Sequence, residues 1–129
     1  MVCQVCTFCE LTRGAENPNF IFENVHGFVV RDTFPVSPGH SLIILKRHVS
    51  SFFELKEAER TSLFMLIEQA KLGLDCIFKP GGYNIGINDG VVAGQTIPHL
   101  HIHLIPRFKG DMADPSGGVR GVIPGKQKY

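Results

Sequence analysis

His99, His101 and His103 occupy alternate positions in the stretch Gly94-Gln95-Thr96-Ile97-Pro98-His99-Leu100-His101-Ile102-His103-Leu104-Ile105-Pro106, and they are half of the chain's 6 histidines. Two chemistries ask for imidazoles at this spacing. Neutral imidazole ligates zinc, copper, iron or nickel. Imidazole is also a nucleophile, one ring attacking while its neighbours orient it and donate protons. Gln95 and Thr96 add an amide and a hydroxyl, and Gly90 and Gly94 permit a tight loop whose N–H groups can face an anion. Donors beside histidines suit a phosphate better than a bare metal ion. The competing reading, a solvent-facing polar row, is weaker, because imidazole adds little apolar burial and its ring nitrogens need partners when covered.

The element that must carry these rings is a strand. Strict period-two alternation ending in an apolar run reads as a half-buried β-strand, and alternate side chains of a strand share a face. The imidazoles therefore lie on one face, with Leu100, Ile102 and Leu104 entering the core behind them. Upstream, Phe20 to Glu23 and Phe28 to Arg31 are β-prone runs around Asn24-Val25-His26-Gly27, the pattern of a hairpin. Asp32 ends the second run beside a Pro/Gly loop, where it serves either as a turn residue or as an acceptor for vicinal ribose hydroxyls. His40 opens a third run through Leu42 to Leu45, apolar on both faces and so central. Lys46-Arg47-His48 ends it, and the basic pair is most simply solvated.

Ser51 and Glu54 match a capping box, after which Leu55, Ala58, Leu63, Leu66, Ile67, Ala70 and Leu74 trace one helical face as far as Lys79-Pro80-Gly81-Gly82. Tyr83 to Asn88 alternates as a further strand. Five short strands and one long helix predict an α+β domain with an antiparallel sheet over residues 1–111, and a Gly/Pro-rich C-terminal tail over 112–129 that reads as an extended or partly disordered arm. Near the N-terminus, Cys6-Thr7-Phe8-Cys9 has the spacing that lets two thiolates meet one zinc ion, although Cys3 and Cys6 share it and chance spacing is the alternative.

The chain's 129 residues make one domain with a sizeable core. Its 13 basic and 12 acidic residues leave a net charge of +1, which carries no footprint for duplex nucleic acid and no polybasic membrane patch. No apolar run approaches the ~18 residues of a membrane span, so the expectation is a cytoplasmic protein.

Gly-Gln-Thr-x-x-His-x-His-x-His followed by apolar residues resembles the signature of the histidine triad (HIT) superfamily of nucleotide hydrolases and transferases. Asp32, His40, Lys46-Arg47-His48 and Asn88-Asp89-Gly90 extend the likeness over residues 6–111. The resemblance implies a HIT-like five-stranded antiparallel sheet and a nucleophile at His101. A nucleotidyl-histidine intermediate would then release a nucleoside monophosphate. By the same resemblance His103, Gln95, Thr96 and the loop amides hold phosphoryl oxygens, His40 hydrogen-bonds within the site, Asp32 takes the ribose and Asn88 contacts phosphate. Phe8 and Leu11, with Val30 and Thr33, resemble the walls of the base pocket. Bacterial members with C-x-x-C imply a structural Zn2+ held by Cys6, Cys9, His48 and His99. A Mg2+ ion would arrive only with a polyphosphate substrate.

Gln-Thr in the loop and Pro106-Arg107 before Lys109-Gly110-Asp111 look more like the dinucleoside polyphosphate hydrolase branch than the phosphoramidase branch. Family members are generally homodimers. Two further readings stand beside this one: a nucleotide- or zinc-binding module with little turnover, and a hydrolase with all three triad imidazoles on one metal ion. In the tail, Arg120 is a candidate to reach a substrate phosphate.

Overall fold

The computed structural model describes residues 6–11 and 17–129, with the side chains of Glu10 and Leu11 excepted. Its elements are helix α1 (Thr7–Leu11), strands β1 (Phe20–Glu23), β2 (Gly27–Arg31) and β3 (Ser41–Leu45), helix α2 (Glu57–Phe78), and strands β4 (Gly82–Gly86) and β5 (His101–Arg107). The strands form a 5-stranded sheet in the order β1-β2-β3-β5-β4, antiparallel throughout. This is the α+β architecture expected, with β3 at its centre.

Both faces of the central strands are covered, which is why β2 and β3 read as continuous apolar runs. One face packs Val29, Ile43, Leu45, Leu100, Ile102 and Leu104 against Leu63, Leu66, Ala70 and Leu74 of α2. The other gathers Phe28, Val30, Leu42 and Ile44 under Cys6 and Phe8 of the N-terminal segment. The β1–β2 turn is held by Asn24, whose Oδ1 accepts the N–H groups of His26 and Gly27 and whose Nδ2 donates to Ser62 O of α2. Gly27 permits that close seat: a Cβ there would lie 2.9 Å from Ile44 O and from the methyls of Leu63 and Leu66.

Three local expectations give way. Ser51 caps a 3-10 turn (Phe52–Glu54), its hydroxyl accepting Phe53 N–H, and the chain is extended at Leu55 before α2 begins at Glu57. Glu59 supplies the real cap by accepting Lys56 N–H, and it is buried while Ala58 is exposed. Arg47 is not simply solvated. Its Nε and Nη2 each reach a Glu59 carboxylate oxygen at 2.8 Å, fastening the end of β3 to the start of α2. Finally, the tail is not a bare arm. A 3-10 turn at Gly118–Val122 folds back against β4, and the Gln127 side-chain amide clasps the carbonyls of Asp114 and Ser116.

Candidate active site

Register places the triad. In the sheet, Phe28 of β2 faces Ile44 of β3, which faces His101 of β5; one row along, Val30, Leu42, His103 and Gly86 stand side by side. Cross-strand partners share a face, so His101 and His103 emerge on the side away from α2, and His99 lies just before β5. The three rings do not converge on a point, and each has a different partner.

The His101 Nδ1–H donates to the His99 carbonyl at 2.9 Å; a carbonyl only accepts, so the lone pair of this ring sits on Nε2. His40 Nδ1 accepts the Val36 N–H at 3.2 Å, which puts the His40 proton on Nε2. That Nε2–H lies 3.0 Å from His103 Nδ1 and 3.4 Å from Asp32 Oδ2. His103 accepts at Nδ1 and keeps its own proton on Nε2 as a donor. Burial holds both His40 and His103 below the ordinary imidazole value, with Asp32 pulling the other way, so both rings are neutral near pH 7. Asp32, His40 and His103 are close enough to hold an ion. A metal would need the nitrogen on which the Val36 contact places the His40 proton, so the set is a hydrogen-bonded chain that fixes ring tautomers.

A pocket of about 450 Å³ opens over this face. Phe8, Val30, Leu42 and Ile97 give it apolar walls; Asp32, Thr33, Asn88, Thr96, His101 and His103 give it polar ones. The Phe8 ring meets the His101 ring edge-on at 4.8 Å between centroids. Asp32 Oδ1 accepts the Phe34 N–H, so this carboxylate is a turn residue and a pocket residue at once. Asn17 and Asn19 also line the pocket, and the sequence reading missed them. Asn17-Pro18-Asn19 is a turn signal, but nothing local ties it to the histidines.

Two expected phosphate contacts are committed elsewhere. Gln95 Oε1 accepts the Gly90 N–H, and its Nε2 donates to Ser50 O and Ile97 O. The N–H groups of Ala93, Gly94 and Gln95 bond carbonyls of Gly90 and Val91 within the loop. Gln95 is therefore the brace of this loop, and Thr96, Asn88 and the His103 Nε2–H remain to face an anion. In the tail, Arg120 donates to Lys126 O and lies over the Tyr129 ring, away from the pocket. The side chain of Leu11 and the Cys3 alternative lie outside the described residues.

Beside the pocket, Cys6, Cys9, His48 and His99 bring four ligand atoms within 4.8 Å of one another. The Cys6–His99, Cys9–His48 and Cys9–His99 sulfur–nitrogen separations are 3.3 to 3.4 Å, and the two Nδ1 atoms are 3.1 Å apart. A tetrahedral zinc centre has edges of about 3.6 Å between S and N and about 3.3 Å between two N. His99 Nε2 donates to Leu45 O, so its Nδ1 is an unprotonated lone pair aimed into the cluster. The donor set thus fits a closed zinc site. It also takes His99 out of the pocket, against any arrangement with three imidazoles on one ion.

An antiparallel sheet with two imidazoles of fixed tautomer facing one pocket is the arrangement that the histidine-triad resemblance implies. The chain belongs to the HIT family, whose domain matches residues 13–110. It is 36% identical over 104 residues to an uncharacterized HIT-like protein of Mycoplasma genitalium, covering 81% of this chain and 74% of that one. It is 42% identical over 80 residues to the asymmetrical bis(5'-nucleosyl)-tetraphosphatase of Schizosaccharomyces pombe, covering 62% of this chain but 44% of that protein. Its fold superposes on a HIT family protein from Bacillus anthracis with TM-score 0.78 at 31% identity, over 85% of this chain and 78% of that one. It superposes on a Zn-bound histidine triad family protein from Mycobacterium smegmatis with TM-score 0.75 at 28% identity, over 84% and 79%.

Proposed function

We propose that this protein hydrolyses a nucleotide at its α-phosphate by covalent catalysis through His101. The observation that carries the proposal is the His99 carbonyl on His101 Nδ1, which leaves a neutral, lone-pair-bearing Nε2 facing the pocket. The base lies between Phe8, Val30 and Ile97, and the ribose hydroxyls meet Asp32. His101 Nε2 forms a bond to phosphorus while the bond to the leaving group breaks, its electron pair departing with that group. His103 Nε2–H, Thr96 and Asn88 hold the non-bridging oxygens as charge shifts. Water then attacks phosphorus, gives its proton to solvent, and returns the electron pair to Nε2 as the monophosphate leaves.

Zn2+ at Cys6, Cys9, His48 and His99 cross-links the N-terminal segment to the sheet, and no chemical step passes through it. Asp32, the one carboxylate among the pocket's described residues, is engaged by Phe34 N–H and His40, so the site itself calls for no Mg2+.

The substrates to compare are a diadenosine polyphosphate, the class named in the tetraphosphatase relative, and adenosine phosphoramidate. Wild type releases a nucleoside monophosphate from at least one of them, and His101→Ala releases none. Tight nucleotide binding with no turnover of either would instead leave a binding module.

A further inference from the structure

The four ligands of the zinc cluster are not equally covered. Cys6 and His99 are buried, whereas Cys9 and His48 are half-buried, so one edge of the cluster is open to small solutes. The Cys6 and Cys9 sulfurs lie within 4.8 Å of each other, and side-chain rotation brings a C-x-x-C pair to bonding distance. Phe8 stands between them in sequence. It packs with Cys6 on Phe28, Val30, Leu42 and Ile44, and meets the His99 and His101 rings edge-on. Ordering residues 6–11 costs more backbone entropy than burying one phenyl ring and one thiol returns. The metal cross-link therefore decides whether Phe8 stays on the sheet.

We propose that Cys6 and Cys9 form a peroxide-sensitive switch whose closure as a disulfide ejects zinc and withdraws Phe8 from the nucleotide pocket. Its effect on binding rests on the reading of that pocket as a nucleotide site. Cys9, on the open edge, is the attacking thiolate, and the covered Cys6 resolves from inside. The Cys9 sulfur bonds to one peroxide oxygen as the O–O bond breaks, and the other oxygen leaves with the electron pair as hydroxide. The Cys6 thiolate then attacks the Cys9 sulfur, and the S–S bond forms as the sulfenic hydroxyl leaves. Solvent protonates both hydroxides to water, so two electrons pass from the sulfurs to one peroxide. Only His48 and His99 remain as ligands, too few for a closed zinc site.

The test uses the full chain with Cys3→Ser/Cys76→Ser, in which Cys6 and Cys9 are the only thiols. Loaded with zinc and treated with hydrogen peroxide, it releases zinc to a metallochromic dye in step with a mass loss of two hydrogens. Amide hydrogen exchange over residues 6–11 speeds up while the central strands stay protected. Calorimetric affinity for adenosine monophosphate falls at least about tenfold, the scale of a lost apolar wall. Dithiothreitol with added zinc restores all three. The switch is overturned if the variant holds no zinc before treatment, if peroxide leaves the zinc in place, or if the sulfurs gain oxygen instead of pairing. It is overturned equally by a disulfide that leaves residues 6–11 protected. Failure of the nucleotide reading shows separately, as a reduced, zinc-loaded chain that binds no adenosine monophosphate, and hydrogen exchange then still decides the switch.

Discussion

A single backbone carbonyl decides which nitrogen of His101 bears the lone pair, and a single backbone N–H, that of Val36, decides the proton positions of His40 and His103. His40 is thus a positioning residue. In His40→Ala, His103 Nδ1 loses its donor and the ring samples both tautomers. The expected result is a kcat reduced by about tenfold or more with KM changed far less, on the scale of an outer partner's loss; steady-state kinetics reads the split. Because burial lowers the His40 and His103 values, their protonation belongs below the ordinary imidazole value of 6.5. The unfolded chain binds more protons there, so these two rings destabilise the fold as pH falls from about 6.5 toward their lowered values. Thermal melts at stepped pH show a falling Tm in that window for wild type and a shallower fall for His40→Ala. The triad histidines were legible from residue type and period-two spacing, whereas Asp32 stayed open between a turn residue and a ribose acceptor, and His40 and His48 entered only through the family resemblance. The role of Gln95 was not, since its amide is spent on Gly90, Ser50 and Ile97, partners that a family motif does not reveal.

Elements were legible where the pattern was long and local. The hairpin, the central strand and the face of α2 follow from periodicity, whereas the start of α2 does not. Ser51 and Glu54 imitate a helix start in sequence, but Leu55 is buried in extended conformation and the helix waits for Glu59. A carboxylate 4% exposed is tolerable only with its partner, and the hydrogen bonds from Arg47 hold Glu59 down to about 2. Arg47 reaches across from β3, which no helical period records. Arg47→Met leaves that carboxylate covered and unpaired. Denaturant unfolding at pH 7 should show a loss of about 2–3 kcal/mol, below the full penalty for a buried pair because Arg47 is 40% exposed. The Glu59 contribution is present above its ordinary value of 4.5 and is lost as pH falls toward 2, so the two proteins converge in acid. Gly27→Ala forces a methyl to within 2.9 Å of Ile44 O and two leucine methyls, and costs about 1–3 kcal/mol in the same assay.

Across the whole molecule, the proposed metal, the nucleotide and the tail meet on one face of the sheet. Phe8 sits between Cys6 and Cys9 in sequence, packs on His101 and walls the nucleotide pocket, while α1 is only 5 residues long and too short to persist as an isolated helix. Metal analysis should find one zinc per chain, lost in Cys6→Ala and Cys9→Ala. A chelator should weaken nucleoside monophosphate binding before it abolishes the far-ultraviolet signal of the sheet and α2. A second copy of the chain is expected from the family, and sedimentation reads it directly. One position in the site is open to history. Gly86 stands opposite His103, and a Cβ built on it meets nothing within 4 Å. A lysine or arginine acquired there would place a cation beside His103 without moving the histidines. Descendants of this chain could therefore gain a positive charge beside the triad by one substitution that meets no steric obstacle.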